Sequence, residues 1–538
     1  MQPKGRASSE LYNSLNKRWK DTCKVLFLQE VGEIDAFLDW FTELNEPIIH
    51  RKSGVSGKDV AFAIDQYSEG SKWIGLEEID YGKKFEPVGI NDLKDIDSLV
   101  EAIGERIYYT GNVVLGNSDF VESSSNINDS FFMYETGRLG DCKYIAYSTL
   151  GRLCETCFGC NGIGESAYCL RCYETFRDKR CLELWMSQNC ADCYYSFGLN
   201  NCSHCMFCFN LKDKSYAIGN LALGREKYAK ISAKLLGEMA QELQRAKRLP
   251  SLPQIAIKSK DHSKELAKLL ATKLQSARPE KLDRQPIEDA WMETAGIVLG
   301  KKLGGGIDAY SKWLSRHTRK TEKHKSAISG KEIFRWDYAS YFQLPPKRLV
   351  TMEEAAAIGE SVSISESEAE KFSFACAHDF LGKIAYFNPE YREGTNTNTI
   401  ESPTCTRSSN AYRSTPVVYS KYCGYTFWPR SCECQFGCGA MFDSKFCINC
   451  YQSVKLTRCF ECDSCRDCSD SLFLHNCENV NNSMFCFNAK NLSYAIGNAA
   501  LSPDRFRAAK KSLLGQLSSE LEKSKDLKAD IYNIGARR

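Results

Sequence analysis

The sequence predicts an α+β protein made by tandem duplication. Each half is expected to be a small α+β module, a narrow cysteine-rich β-solenoid of about twelve residues per coil, and an amphipathic capping helix. Three observations carry this reading. The twelve cysteines from Cys142 to Cys208 are all separated by multiples of three. Stepping by twelve sorts them into columns, the clearest being Cys157, Cys169, Cys181, Cys193 and Cys205. From Phe158 onward the chain recurs at a constant displacement of 278, so that Met206-Phe-Cys-Phe-Asn210 returns as Met484-Phe-Cys-Phe-Asn488.

A period of twelve is too short for helical repeats, which need about 33 residues or more. It suits short strands stacked coil upon coil at ~4.8 Å. Columns three residues apart then become inward rows, and a narrow interior admits only small side chains. The second column reads Cys142, Cys154, Ser166, Asp178, Cys190, Cys202, and the third reads Ser148, Cys160, Cys172, Leu184, Ser196, Cys208. Cysteine serves there as a small hydrophobe. Beside these rows run an aromatic ladder, Tyr173, Trp185, Phe197 and Phe209, and an apolar column, Phe158, Leu170, Leu182, Tyr194 and Met206. Faces of that kind are expected to be covered by another part of the protein.

In chain order, 538 residues imply several domains. Residues 1–21 are polar and basic and are expected to form a flexible tail; a mitochondrial presequence is the alternative, since a secretory signal would need an apolar core. Residues 22–112 form the first module. It has a short strand at Val25–Leu28, a helical run at Ile34, Phe37, Leu38 and Phe41, and a second at Leu93, Ile96, Leu99, Val100 and Ile103. The first solenoid is placed at 113–222. Residues 223–300 are a capping helix, with Tyr228, Ile231, Leu235, Leu236, Met239 and Leu243 on one face, followed by a basic linker carrying Pro250, Pro253, Pro279 and Pro286. The helix is expected to protect the open strand edge.

The second copy repeats this order, with a module at 301–372, a solenoid at 373–500 and a C-terminal capping helix at 501–538. Its early part is displaced by 273: Ile34-Asp-Ala-Phe returns as Ile307-Asp-Ala-Tyr, and Lys52 to Lys58 as Lys325 to Lys331. Ser502 and Pro503 read as the N-cap and first residue of the last helix.

The net charge of +3 argues against a strongly basic nucleic-acid binder, leaving the 245–300 linker as the stretch that could touch an acidic partner. No run of 18 apolar residues is present to span a membrane. A reducing compartment, the cytoplasm, fits the cysteines, whose total of 27 is odd.

The candidate metal residues are Cys157, Cys160, Cys169 and Cys172, with Cys447, Cys450, Cys459 and Cys462 in the second copy. Paired Cys-x-x-Cys units from two adjacent coils could make tetrahedral thiolate zinc sites. Stacked thiols that fill a narrow core are the competing and preferred reading, because the cysteines obey a coil period rather than a ligand count. Disulfides rank third. The seven histidines form no metal or triad pattern, and His204 between Cys202 and Cys205 reads as an outward coil residue. Gly304-Gly-Gly306 lacks the Lys-Ser/Thr of a phosphate loop. Glu165, Glu174 and Glu183, at steps of nine, fall on different faces of a twelve-residue coil.

The coils ending in Phe-Cys-Phe-Asn and Tyr-Ala-Ile-Gly-Asn, followed by a Glu/Lys-rich helix, resemble an uncharacterised cysteine-rich repeat family of small-genome bacteria and archaea and of large phages and viruses. Some members carry the acyl-CoA transferase label CaiB/BaiF, and no residue pattern here supports that chemistry. Family members often have a Cys-x-x-Ser/Thr-Gly-Lys ribbon; in this chain Ser53 to Lys58 and Ser326 to Lys331 stand there without cysteines. The expectation is a non-enzymatic scaffolding protein whose partners are other proteins of a large assembly, a virion being one setting. The alternatives are a zinc-stabilised adaptor for protein or nucleic acid, and a carbohydrate-active solenoid.

Overall fold

The computed structural model describes residues 7–89, 94–271, 273–274 and 281–537. The chain is α+β, with two large parallel sheets of 16 and 13 strands in two similar halves. The period of twelve is the pairing offset. Ile145 lies opposite Cys157 and Cys157 opposite Cys169 in the first sheet, and Gln435 opposite Cys447 and Cys447 opposite Cys459 in the second.

The backbone turns at every third residue through the left-handed region, as at Thr156, Gly159, Gly162, Glu165, Tyr168 and Arg171. This conformation is costly for residues with a Cβ. Hydrogen bonds to the repeats before and after offset the cost: Arg171 N–H donates to Phe158 O and Asn161 N–H to Cys172 O, both at 3.0 Å. Thr156 is the one β-branched residue at such a position among the described residues. The second copy turns at the corresponding places, from Gly437 through Ala440, Asp443 and Phe446 to Gly497. The copies therefore run from Phe158–Asn220 to Phe436–Asn498 without an inserted residue.

Helix α1 (Ser9–Phe27) begins at Ser8, whose hydroxyl accepts from Leu11 N–H, and buries Leu11, Leu15, Trp19, Cys23 and Leu26. It lies on the outer apolar column, with Trp19 edge-on to Phe158 at 5.6 Å. Helix α2 (Arg225–Ala246) follows the first sheet, α3 (Gln285–Leu299) repeats α1 on the second sheet, and α4 (Pro503–Ser524) repeats α2. Trp291 of α3 meets Phe436 as Trp19 meets Phe158. Each module also holds an antiparallel hairpin, Ile49–Lys52 with Asp59–Phe62 and Thr321–Lys325 with Glu332–Trp336. The Ser-Gly-Lys segments are their turns, where Ser53 Oγ accepts from Val55 N–H and Ser56 N–H, and Ser326 Oγ from Ile328 N–H and Ser329 N–H.

The later part of each module crosses to the other half's sheet, while the earlier part stays on its own, Phe41 against Phe158 and Trp313 against Phe460. The segment before the first sheet covers the second: Asn488 Nδ2 donates to Tyr108 O at 2.9 Å, and Arg106 to Gly497 O at 2.6 Å. The segment before the second sheet covers the first: Asn210 Nδ2 donates to Tyr386 O at 3.0 Å, and Ile364 N–H to Gly219 O at 3.0 Å. Asn210 and Asn488, and Tyr108 and Tyr386, are duplicates of one another, so the exchange is reciprocal. Glycine is required where the exchanged segments land. At Gly219 (φ +55) a Cβ would meet Ile364 at 2.7 Å, and at Gly497 (φ +57) it would meet Ile103 at 2.6 Å. The two largest apolar cores each contain residues of both halves.

Several expectations change. From Ser9 the expected tail of 1–21 is helix, because Leu11, Leu15 and Trp19 form an apolar face, and Val25–Phe27 is that helix's last turn rather than a strand. The linker within 223–300 is largely structured, with Leu252, Ile255, Leu266 and Leu270 buried and α3 opening the second copy. The first paired strand of the second sheet is Tyr391–Glu393; residues assigned from 373 to its solenoid belong to the exchanged module, with Phe374 against Tyr195 and Phe387 against Phe197. Helix α2 packs alongside α1 and the last strand, while Ile364 and Val362 bond to the sheet's end, so the cap comes chiefly from the other half. Leu93 of the expected second module helix, Gln275 and Pro279 of the linker, and Met1–Arg6 of the tail lie outside the described residues.

Reciprocal exchange predicts that the halves need each other. Pieces 1–275 and 276–538, expressed together, should copurify in equal amounts, whereas either alone should aggregate through an uncovered strand edge. Size-exclusion chromatography and thermal melts check this. A stable monomeric piece with a cooperative melt would contradict it.

Candidate functional site: row residues and a polar seam between the halves

The cysteine rows are buried, Cys157, Cys160, Cys169, Cys172, Cys447, Cys450, Cys459 and Cys462 each at 0% exposure, and all are free thiols. They form cores of their own with Leu, Met and Ala. Among the described residues no group of three or more His, Cys, Asp or Glu is arranged to hold a metal ion.

The rows do a different job. Cys160 Sγ donates to Phe158 O, two residues back, at 3.6 Å, and accepts from Cys172 N–H, one repeat on, at 3.3 Å. Ser148 does the same with Ala146 O at 3.1 Å and Cys160 N–H at 3.0 Å. In the second copy Cys438 contacts Phe436 O at 3.5 Å and Cys450 N–H at 3.4 Å, and Ser453 contacts Tyr451 O and Cys465 N–H. Turning every third residue leaves buried peptide groups that the strand ladder does not reach. A short side chain that both donates and accepts satisfies them, and serine and cysteine qualify. Asp178 fills the same role at higher cost: Oδ1 accepts from Cys190 N–H at 2.6 Å, while Oδ2 is buried without a partner. Burial pushes its carboxyl up to about 9, so the acid is protonated at neutral pH.

The carboxylates considered for sugar chemistry are dispersed. Glu165 is exposed and pairs with Arg177 at 2.6 Å. Glu174 is half-buried at a corner of the repeat, and burial pushes its carboxyl up to about 8. Glu183 is fully buried between Arg171 Nε at 3.0 Å and Trp185 Nε1 at 2.7 Å.

The chemistry that sequence reasoning missed lies on the exchanged interface. In the second copy the aromatic ladder becomes Tyr451, Asp463, His475 and Phe487. Asp463 Oδ2 accepts from His475 Nδ1 at 2.9 Å and from Tyr67 OH at 2.9 Å, and Oδ1 accepts from Tyr532 OH at 3.2 Å. His475 Nε2 in turn accepts Thr110 N–H at 2.9 Å, which places the ring proton on Nδ1. Asp463 and His475 are both fully buried. Burial, then the neighbouring Asp463 carboxylate, pushes the Tyr67 and Tyr532 phenols well up, so both remain donors. An Asp–His pair of this kind could orient a general base, but here the nitrogen that would take a proton is occupied by a backbone amide. The pair ties the first half's Tyr67 and Thr110 and the C-terminal Tyr532 to the second sheet. In the first copy Trp185 and Phe197 stand in these places, and Phe387 packs edge-on to Phe197 at 4.9 Å instead. The missed signal was the column itself, since a twelve-residue step puts Asp463 beside His475.

His204 sits on the outside, stacked on Tyr216 at 4.9 Å. Cys376 is the one exposed cysteine among the described residues.

No family model matches this chain, and comparison with curated proteins and with solved structures likewise gave no match.

Two predictions follow from the rows. Cys160→Ser keeps both hydrogen bonds, whereas Cys160→Val leaves Cys172 N–H without its acceptor and Phe158 O with Arg171 N–H alone, and should be less stable than Cys160→Ser by about 1–3 kcal/mol in urea unfolding. Equal stabilities would show that the thiol acts by volume alone. For Asp178 the folded state holds a proton that the unfolded chain releases near pH 4. Its neutral form favours folding, and that contribution is lost as pH rises toward about 9. Asp178→Asn should therefore gain stability over the parent at pH 8 relative to pH 5, by about 1–3 kcal/mol. A difference that does not change with pH would refute the assignment.

Proposed function

We propose that the protein is a non-enzymatic structural component, a rigid body built from two narrow β-solenoids that presents fixed faces to other proteins of a larger assembly. The observation that carries this reading is the fate of the chemically capable groups. Asp463, His475, Glu183 and the row thiols are buried and spend their hydrogen-bonding capacity on holding the chain together.

The solenoid reading is supported by parallel pairing at a constant offset of twelve and by the left-handed turn at every third residue. Rigidity is supported by the reciprocal exchange, since neither sheet can move without the module of the other half. The outer faces suit fixed display. Ladders of like polar residues bond along the stack, Asn201 Nδ2 to Asp213 Oδ1 at 2.6 Å and Asn479 Nδ2 to Asn491 Oδ1 at 2.8 Å. Matched arginine–aspartate pairs join neighbouring repeats in both copies, Arg180 to Asp192 and Arg458 to Asp470, each at 2.6 Å. A virion is one setting for such a part.

The test is to fractionate the native source under mild conditions. The protein should run in a particle well above its own 60.8 kDa, and crosslinks should fall on the solenoid faces. A free 60.8 kDa monomer in native extracts would overturn the proposal. Elemental analysis of the purified chain separates the alternative, since zinc near one or two ions per chain would favour an adaptor whose thiols bind metal.

A further inference from the structure

The two halves are fastened to each other's sheets at duplicated places, and one of the two fastenings carries an imidazole. On the second sheet, Tyr109–Gly111 of the first half is seated on the ladder of Asp463, His475 and Phe487. Thr110 N–H donates to His475 Nε2 at 2.9 Å, and His475 Nδ1–H donates to Asp463 Oδ2 at 2.9 Å. Tyr109 stands edge-on to the imidazole at 5.1 Å, and Thr110 Oγ1 donates to Asn488 Oδ1. On the first sheet Phe197 holds the place of His475, and Asn388 is the duplicate of Thr110. That seat is made by Phe387 against Phe197 and Phe209, by Asn210 Nδ2 donating to Tyr386 O, and by Ile364 N–H donating to Gly219 O.

His475 is fully buried, and both of its ring nitrogens are committed. The titratable groups that face it are Asp463 on its own sheet, Tyr67 and Tyr109 of the first half, and Tyr532 of the C-terminal segment. The phenols of Tyr67 and Tyr532 both donate to Asp463. Behind them lie Glu461, which accepts from Ile531 N–H at 2.8 Å, and Asp530, whose Oδ2 is 3.1 Å from both Arg316 Nη1 and His317 Nε2. A charged imidazole carries a proton on each nitrogen. The second proton would have to sit on Nε2, where Thr110 N–H already points at the ring. Two donors cannot share that line, and a buried amide that loses its acceptor is destabilising.

We infer that the fastening on the second sheet is an acid-released latch: a proton on His475 Nε2 and a docked Thr110 exclude each other, so a fall in pH lifts Tyr109–Gly111 from the second sheet while the first sheet's fastening holds. The docked state binds one proton on the ring, at Nδ1. The undocked state exposes Nε2 to water and can bind a second beside Asp463, while Thr110 N–H turns to solvent. Falling pH favours the state that takes up the extra proton. Below the ordinary histidine range, about pH 6.5, the ratio of undocked to docked rises by up to about tenfold per pH unit. Opening of this kind is local, since the rest of each sheet keeps its ladder. Phe197 gives the other fastening no proton to bind, so acid frees one end of the molecule and not the other.

The test is amide hydrogen exchange on the full chain from about pH 8 to about pH 5, corrected for the pH dependence of exchange itself. Two amides are compared within one molecule: Thr110, which donates to His475, and Ile364, which donates across to Gly219 of the first sheet. Between about pH 7 and pH 5, protection of Thr110 should fall about tenfold or more while that of Ile364 holds. His475→Gln places a side-chain oxygen that can accept Thr110 N–H and does not titrate, so its Thr110 should stay protected at the acid end. Should that variant fail to fold, the two amides of the parent decide. Parallel loss at both amides, or undiminished protection of Thr110 at about pH 5, overturns the inference. So does an equal acid response in His475→Gln, which assigns the opening to Asp463, Glu461, Asp530 or His317 instead.

Discussion

The structure depends on satisfying peptide groups inside a very narrow repeat. A chain that turns every three residues cannot pair all of its N–H and C=O groups strand to strand, and the groups it buries cannot reach water. Short side chains that donate two residues back and accept from one repeat ahead resolve this. Ser148, Cys160 and Cys438 do so with the same pair of contacts. Abundant cysteine then has a physical reason that involves no metal or crosslink. The thiol is small enough to stack at strand spacing, apolar enough for burial and able to accept an amide. Asp178 marks the limit, a carboxyl admitted for its acceptor oxygen and kept neutral by its surroundings.

The second constraint is the outside of the stack. Aromatic and aliphatic columns beside the rows need cover; α1 and α3 cover part of their own sheets, and each half gives the rest of its cover to the other. The two fastenings differ in kind. On the first sheet Phe387 packs against Phe197 and Phe209, an apolar contact tolerant of small shifts. On the second, Asp463 and His475 receive Tyr67, Thr110 and Tyr532 through directed hydrogen bonds. A buried polar network of this sort adds specificity of docking more than raw stability.

Much of this was legible beforehand. The spacing of Cys157, Cys169 and Cys181 yields the pairing offset directly, because strand stacking converts sequence period into register. The constant displacement after Phe158 yields the duplication. The exchange was not legible, since a covering face reads the same whichever half supplies it. Helix α1 was missed because its buried residues, Leu11, Leu15 and Trp19, are thinly spread among polar ones and were read as a tail. The left-handed corners left only a faint trace, the near absence of Val, Ile and Thr from the residue before each row position. The cysteine rows read from the sequence as core packing first and as zinc ligands second, and their burial fits the packing. The Asp463–His475 pair is invisible to helical and triad spacings and shows only at the chain's own period of twelve.

The swapped modules also bear on what evolution could do with this molecule. In a pair of identical subunits every mutation appears twice, so an interface residue cannot improve one contact without altering its mirror image. Joining the two copies in one chain, with each still required by the other, removes that restriction while keeping them together. One copy can then lose or gain a charge alone. Trp185 and Phe197 opposite Asp463 and His475 are differences of that kind. They make the two ends of a near-symmetric body chemically distinguishable, and so give it a direction.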